Sequence, residues 1–166
     1  MEQGRAFFDD KLAELVVGWL NDPVYAVRQC VIDCATRIVR QFGSEWAVGS
    51  GFLARVMALG SHRNYLRRLT LLSALASTCS SLAPTVLKEH YLPLLEKLAA
   101  DPIANVRFNV AKTLECLVPV LLASSDPVAS SLVQVPIVPI LQQLQRDADR
   151  DVHDFATRAL NLIPAY

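Results

Sequence analysis

The sequence has little glycine and no excess charge of either sign. Only 6 of its 166 residues are glycine, and the alternating β-branched runs typical of strands are rare. Sixteen basic residues balance sixteen acidic residues, which argues against a dedicated nucleic-acid or membrane surface. Because 52% of the residues are hydrophobic, the chain is too apolar to remain disordered. We therefore predict a folded protein that binds neither nucleic acid nor a membrane.

Cysteine pairs and targeting signals are also lacking. Cys30, Cys34, Cys79 and Cys116 form no CxxC pair, so we interpret them as reduced, buried thiols and not as a metal site or disulfides. Neither an N-terminal signal pattern nor an unbroken run of about 18 apolar residues is present. We expect a soluble protein of the cytoplasm, with the nucleus as a second location.

What the sequence does contain is one short pattern in four copies. Asp101–Arg107 is the clearest copy, and Asp22–Arg28 is the most similar to it. His62–Arg68 keeps the final arginine, whereas Asp147–His153 keeps the aspartate and the valine and ends in histidine. The copies begin 40, 39 and 46 residues apart. A unit of that length with two helices is typical of a HEAT-type solenoid.

Apolar spacing places a helix on each side of every copy. Phe7–Leu20 has helical periodicity, and Asn21–Pro23 ends it. Asp22 is then the expected N-cap of the next helix. In the second unit we predict a helix from Trp46 to Leu59, weakened by Gly49–Gly51. Pro93 and Pro139 lie inside the first helices of the third and fourth units, where each should remove a backbone hydrogen bond and kink the helix.

Aligning the units on these turns gives apolar columns that were not used to find the repeat. The columns are Val16, Val56, Leu95 and Leu141; Trp19, Leu59, Leu98 and Leu144; Val31, Leu71, Val110 and Ala156; and Ala35, Leu75, Leu114 and Leu160. We predict an all-α, right-handed α–α superhelix of about four helix pairs. It would form one domain, 1–166, with repeats at about 6–43, 45–82, 85–122 and 130–164.

No group of residues in the sequence has the pattern of a catalytic or metal site. His62, His90 and His153 fall in three different settings, and neither a phosphate-binding loop nor a nucleophile motif is present. The acidic residues near helix starts are better explained by favourable interaction with the helix dipole. We therefore expect no enzyme activity and no cofactor.

The arginines and tyrosines of the turns allow two interpretations. Arg28, Arg68 and Arg107 occupy one column, where they could bridge neighbouring turns through forked hydrogen bonds or could face a partner. Tyr25 and Tyr65 share one turn position, although a turn needs no tyrosine. Tyrosine and arginine are common in binding hot spots. The turns are therefore a candidate partner-binding surface.

Five segments of the sequence are distinctive: Phe7–Leu12, Asp22–Arg28, Gln41–Ala47, Asn64–Arg68 and Ala104–Lys112. Together they resemble the last four HEAT repeats of the scaffolding A subunit of protein phosphatase 2A. The resemblance implies a non-catalytic scaffold that holds a Ser/Thr phosphatase catalytic subunit through the turns within each repeat. The implied binding residues are Asp22, Pro23, Val24, Tyr25, Asn64, Tyr65, Arg67, Arg68, Pro102, Ile103, Asn105 and Arg107.

Some features depart from this family or leave alternatives open. His62 and Arg63 replace the family's Asp-Pro, and the Ser124–Ser130 connection is enlarged. The family binds regulatory B subunits through upstream repeats that this sequence lacks. The first helix begins with Phe7 and Phe8 without a polar cap, so we expect a part of a longer protein or a short paralogue that self-associates through this end. A transport adaptor of the importin type is the alternative function.

Overall fold

The computed structural model describes residues 2–164, which form helices and turns with no strand among them. The prediction of an all-α fold is confirmed. Contacts divide the chain into two units, residues 1–82 and 83–166, and each unit contains two helix pairs.

In the first unit, a long helix follows an interrupted one, and this arrangement occurs twice. The first pair comprises α1 (Glu2–Phe7), a π-helical segment (Phe8–Leu12), α2 (Ala13–Trp19) and α3 (Tyr25–Phe42). The second pair comprises α4 (Ser44–Gly49), α5 (Phe52–Met57), a 3-10 turn (Ala58–Ser61), α6 (Tyr65–Thr78) and a 3-10 turn (Cys79–Ser81).

The second unit has the same plan. Its first pair comprises α7 (Pro84–Val86), a π-helical segment (Leu87–Tyr91), α8 (Leu92–Leu98) and α9 (Ala104–Leu122). Its second pair comprises α10 (Pro127–Leu132), a π-helical segment (Val133–Ile137), α11 (Val138–Leu144) and α12 (Arg150–Asn161).

The π-helical segments occupy one position in the repeat. They begin at Phe8, Leu87 and Val133, in each case 14 residues before the first residue of the following turn, which is residue 22, 101 or 147. The equivalent position in the second repeat is residue 48, and there α4 gives way to α5. Gly51 has a φ of 72°, in the left-handed region that favours glycine. The prediction of one helix from Trp46 to Leu59 is therefore wrong.

Where we expected a proline to kink a helix, the structure has a π-helical turn just before the proline. Pro93 and Pro139 are the second residues of α8 and α11, directly after π-helical segments. A proline cannot donate to the carbonyl four residues earlier, and a π turn shifts the hydrogen-bond pairing by one residue. The Phe8–Leu12 segment contains no proline, so proline alone does not explain these turns.

The predicted apolar columns form most of the core. The columns that begin at Val16 and Val31 are buried in all four repeats. In the Ala35 column three members are buried and Leu160 is half-buried. The exception is Trp19, which is 49% exposed although Leu59, Leu98 and Leu144 are buried. The columns therefore identify buried core residues at every position except Leu160, which is half-buried, and Trp19, which lies at the surface.

An aromatic cluster joins the two helix pairs of the first unit. The Phe8 ring makes edge-to-face contacts with Phe42, Trp46 and Phe52 at centroid distances of 6.1, 5.5 and 5.8 Å. The indole N–H of Trp46 donates to the Asp9 carboxylate at 3.1 Å. Because Phe8 is the first residue of the π-helical segment, that segment places its ring between the two pairs.

The cysteines correct one sequence-based interpretation. Cys79 is buried as expected, whereas Cys30, Cys34 and Cys116 are exposed. Cys30 and Cys34 line an open apolar groove together with Val16 and Trp19 of α2. Burial of all four thiols was therefore a wrong prediction.

One segment meets the length and composition criteria for a membrane-spanning helix. Pro127–Leu144 has a mean hydropathy of 1.2 over 18 residues. Its buried residues include Leu132, Ile137 and Leu141, so it supplies the first helix of the fourth repeat. Core helices of soluble proteins meet the same criteria.

Candidate partner-binding surface

Each of the four turns begins with a side chain that accepts a hydrogen bond from the backbone. Asp22 Oδ1 accepts from the Val24 amide at 2.7 Å. The same bond, to the amide two residues later, recurs at Asp101 (2.9 Å), at Asp147 (2.9 Å) and, through Nδ1, at His62 (3.0 Å). This contact is typical of Asx turns. It explains why the repeated pattern starts with aspartate.

Asp22 is not the N-cap that the sequence pattern predicted. The N-cap position of α3 is Val24, which has an extended backbone and no capping side chain. A true side-chain cap occurs at Asn64, whose side chain accepts from the Leu66 amide at 3.0 Å. Asp22 instead shapes the turn two residues earlier.

The arginines of the column donate hydrogen bonds to backbone carbonyls of their own turns. The Nη1 atoms of Arg28, Arg68 and Arg107 donate to the carbonyl of the first turn residue six positions earlier, at 2.8, 2.7 and 2.9 Å. Each guanidinium therefore folds back over its own turn. These bonds offset the unfavourable placement of a positive charge in the first turn of a helix.

Two arginines also connect consecutive turns. Arg107 forms a forked pair with Asp147, the first residue of the next turn. This hydrogen bond is the main reason that the pKa of Asp147 is lowered and that of Arg107 is raised. In the first unit, Arg67 Nη1 donates to the Asp22 carbonyl at 2.9 Å. The interpretation that column arginines bridge neighbouring turns is therefore supported for Arg107. In the first unit the bridge comes from Arg67, which lies outside the column.

His62 explains why the contact between consecutive turns differs in the two units. It stands where Asp147 stands in the second unit, as the first residue of the following turn. Its ring nitrogen Nδ1 already accepts from the Asn64 amide, and an imidazole cannot accept a forked bond as a carboxylate does. The contact between turns is made instead by Arg67, which comes from the opposite side.

The outer part of the first turn is open to solvent. Tyr25 is 68% exposed and Val24 is 55% exposed. The Tyr25 hydroxyl lies 3.3 Å from Gln29 Oε1, and the Arg28 guanidinium lies 5.7 Å from the centre of the Tyr25 ring. Tyr25 therefore contacts residues of its own helix without entering the core.

The predicted site residues fall into two groups. The side chains of the first group form hydrogen bonds within a turn or between two turns: Asp22, Arg67, Arg68 and Arg107. The others are exposed, and in the first unit we call them the turn surface: Pro23, Val24, Tyr25, Asn64 and Tyr65. Pro102, Ile103 and Asn105 are exposed on the third turn, in the second unit. A binding role for these residues stays a prediction.

One exposed apolar residue of the turns was not predicted from the sequence. Leu66 follows Tyr65 and is exposed in the first turn of α6. A leucine near a helix start is usually assigned to the core, so its type gave no signal. Its position in the repeat could have predicted that it is exposed, because the equivalent residues of the first and third repeats are Ala26 and Asn105.

No group of three or more metal-binding side chains occurs within residues 2–164. His62 and His153 both contact backbone atoms of their own repeats, at Asn64 and Gln145 respectively.

The helix pairs and their repeated turns define a class of protein. The HEAT repeat family profile matches residues 92–121, which include the third turn and most of the two helices beside it. The chain is an all-α protein of the HEAT-repeat class, as predicted.

Curated relatives identify the group within this class. The regulatory A subunit of protein phosphatase PP2A from Saccharomyces cerevisiae is 35% identical over 126 residues, which are 75% of this chain and 20% of that protein. The Schizosaccharomyces pombe protein of the same name is 45% identical over 74 residues, 45% of this chain and 12% of that protein. A Drosophila melanogaster PP2A 65 kDa regulatory subunit is 47% identical over 68 residues, 41% of this chain and 10% of that protein.

The chain is related to the regulatory A subunits of protein phosphatase 2A, and the resemblance seen in the sequence is confirmed. It spans between a tenth and a fifth of the length of these relatives. They are named as regulatory subunits, in agreement with the prediction that the chain is not an enzyme.

Proposed function

We propose that the chain is a non-catalytic scaffold that binds the catalytic subunit of a type 2A Ser/Thr protein phosphatase through its turns. The observation that carries the proposal is the exposure of Tyr25 and Tyr65 on turns whose carbonyls are held by arginines. The relationship to PP2A regulatory subunits supports this choice of partner. Binding of regulatory B subunits would need repeats beyond these four, and the complex would act in the cytoplasm.

The turn surface suits docking because its side chains would lose little conformational entropy when a partner binds. A side chain that is already oriented loses less conformational entropy when a partner binds. Arg28 and Gln29 contact Tyr25, and hydrogen bonds fix the carbonyls of Asp22 and Pro23. Tyrosine adds a large apolar area with one polar end, which is typical of hot spots.

Binding of the purified chain to the phosphatase catalytic subunit tests this proposal. We expect the double variant Tyr25→Ala, Tyr65→Ala to raise the dissociation constant about tenfold or more, since hot-spot truncations cost about 2 kcal/mol. Neither tyrosine is buried, so helical circular dichroism should not change.

Val135→Ala is the matched control because Val135 is 72% exposed and is not one of the turn-surface residues. It should leave the dissociation constant unchanged. Equal binding by the parent chain and the double variant would show that the turn surface is not the binding site.

A further inference from the structure

The turns of the two units differ in charge. The turns of the first unit, Asp22–Arg28 and His62–Arg68, contain one aspartate and four arginines, and we call them the basic turns. The turns of the second unit, Asp101–Arg107 and Asp147–His153, contain four aspartates and two arginines. No aspartate or glutamate occurs between Glu45 and residue 82, where the first unit ends. The whole chain has no net charge, yet one unit has a basic edge.

Two arginines of the basic turns converge on one backbone oxygen. Arg28 Nη1 and Arg67 Nη1 donate to the Asp22 carbonyl at 2.8 and 2.9 Å. A carbonyl oxygen carries only a partial negative charge, so two full positive charges lie close together with little compensation. The Asp22 carboxylate accepts from the Val24 amide instead. An anion placed beside Arg28 and Arg67 would therefore be attracted by both.

These arginines have no acidic partner in the described part of the chain. Within residues 2–164, no carboxylate lies within ion-pair distance of Arg28, Arg63 or Arg67. Arg107 is the counterpart of Arg28 in the second unit, and it pairs with Asp147. Arg63 is exposed, and its side chain donates no hydrogen bond to residues 2–164. Nor do Nε and Nη2 of Arg28 and Arg67 donate to these residues. They are available to a carboxylate.

The surroundings of the basic turns favour a protein as the partner. α3 and α6 begin at these turns, and neither has an acidic residue in its first turn, so the positive ends of their dipoles add to the arginine charges. Tyr25 and Tyr65 are exposed on the same turns. Arginine and tyrosine are both enriched in protein interfaces, whereas a nucleic-acid surface is dominated by basic residues.

We propose that the basic turns bind an acidic segment of a partner protein. One carboxylate of the segment accepts hydrogen bonds from Nε and Nη2 atoms of Arg28 and Arg67, and another pairs with Arg63. Pairs of a guanidinium and a carboxylate are strong because both groups are charged and their shapes match. The proposal rests on the proposed function only in naming the phosphatase catalytic subunit as the source of the segment.

A fluorescently labelled decaglutamate peptide tests the site without the phosphatase. Fluorescence anisotropy should show that it binds the parent chain at low ionic strength and dissociates as salt is added, because salt screens exposed charges. Arg67→Ala should raise the dissociation constant about tenfold, since charge-assisted hydrogen bonds are lost. Arg63→Glu should raise it at least as much, because repulsion replaces attraction. Since the Arg63 side chain donates to no described residue, this variant should keep its helical circular dichroism even if Arg67→Ala does not.

Arg40→Glu is the matched control for Arg63→Glu. Arg40 is exposed on α3, 12 residues after Arg28, which is about 18 Å along a helix. The variant makes the same change in charge and should leave the dissociation constant unchanged. Equal weakening by both variants would mean that net charge alone matters and would overturn the proposal. A parent chain that does not bind decaglutamate, or that binds a ten-nucleotide oligothymidylate more tightly, would overturn it too.

Binding to the phosphatase catalytic subunit separates this proposal from the proposed function. Arg63→Glu should lower the association rate constant and reduce its dependence on salt. A parent chain that binds decaglutamate but not the catalytic subunit would support the acidic-segment site and refute the proposed function. A catalytic subunit that binds the parent chain and Arg63→Glu equally at every salt concentration would overturn the acidic segment and leave the proposed function in place.

Discussion

Arg107 and Asp147 form a two-pronged ion pair between consecutive turns of the second unit. Arg107 Nε donates to Asp147 Oδ2 at 2.6 Å, and Nη2 donates to Oδ1 at 2.8 Å. The remaining nitrogen, Nη1, donates to the Asp101 carbonyl at 2.9 Å. One guanidinium thus holds its own turn and the next one.

Removing either partner should destabilise the second unit. We expect Arg107→Ala and Asp147→Ala each to lower the free energy of unfolding by about 2 kcal/mol, since both groups are largely buried and charge-assisted hydrogen bonds are lost. Denaturant titration followed by circular dichroism measures this. The double variant should lose less than the sum of the two single losses, and strictly additive losses would contradict a direct coupling. Arg107→Lys is a control, because lysine keeps the positive charge but cannot form the two parallel hydrogen bonds to the Asp147 carboxylate.

The stability that Asp147 provides should depend on pH. Its pKa is lowered in the folded state, mainly by the hydrogen bond from Arg107. Its contribution is therefore complete above the unfolded pKa of about 3.9 and is lost as the pH falls through the lower folded pKa. The stability difference between the parent and Asp147→Asn should be constant near neutral pH and shrink below about pH 4. A difference that begins to shrink near pH 6 would point to another group.

Two glycines should respond in opposite ways to alanine. Gly51 has a φ of 72°, which strains an alanine, so Gly51→Ala should cost about 1 kcal/mol. Gly18 lies in α2, and a Cβ there would meet no atom within 4 Å. Gly18→Ala should therefore stabilise the protein by about 0.5–1 kcal/mol. Thermal unfolding of the two variants beside the parent tests the pair, and stabilisation by Gly51→Ala would refute the backbone argument.

Two adjacent phenylalanines provide a further matched pair. Phe8 is 5% exposed at the centre of the aromatic cluster, whereas Phe7 is 59% exposed. Phe8→Ala should cost about 3–5 kcal/mol because it leaves a cavity between the two helix pairs. Phe7→Ala should change stability by no more than about 0.5 kcal/mol. Both tryptophans, Trp19 and Trp46, lie in the first unit, so tryptophan fluorescence reports its unfolding. Equal losses for the two variants would disprove the assigned packing.

Much of the fold could be predicted because the repeat shows in residue types and spacings that are close together in the sequence. The spacing of the Asp101–Arg107 copies located the turns, and helical periodicity located the helices beside them. The column that begins at Val16 identified core residues in all four repeats. A break at Gly51 was harder to predict, since a helix tolerates a single glycine at a cost of about 1 kcal/mol.

The candidate site was predictable in position and less so in chemistry. Tyr25 and Tyr65 stood out because turns do not need tyrosine, and both are exposed. The role of Asp22 was misjudged because an N-cap and an Asx turn have the same sequence appearance, and only backbone dihedrals distinguish them. The forked pair of Arg107 stayed one of two alternatives, since its partner lies 40 residues away in the chain.

The sequence by itself determined the all-α class, the four turns and the relationship to PP2A regulatory A subunits, because these depend on residue type and spacing along the chain. Tertiary structure decided which side chains are covered. Trp19 belongs to the same column as Leu59 and Leu144, yet it is exposed while they are buried. Burial depends on which helix pair packs against a residue. The spacing of residues along the chain does not show that contact.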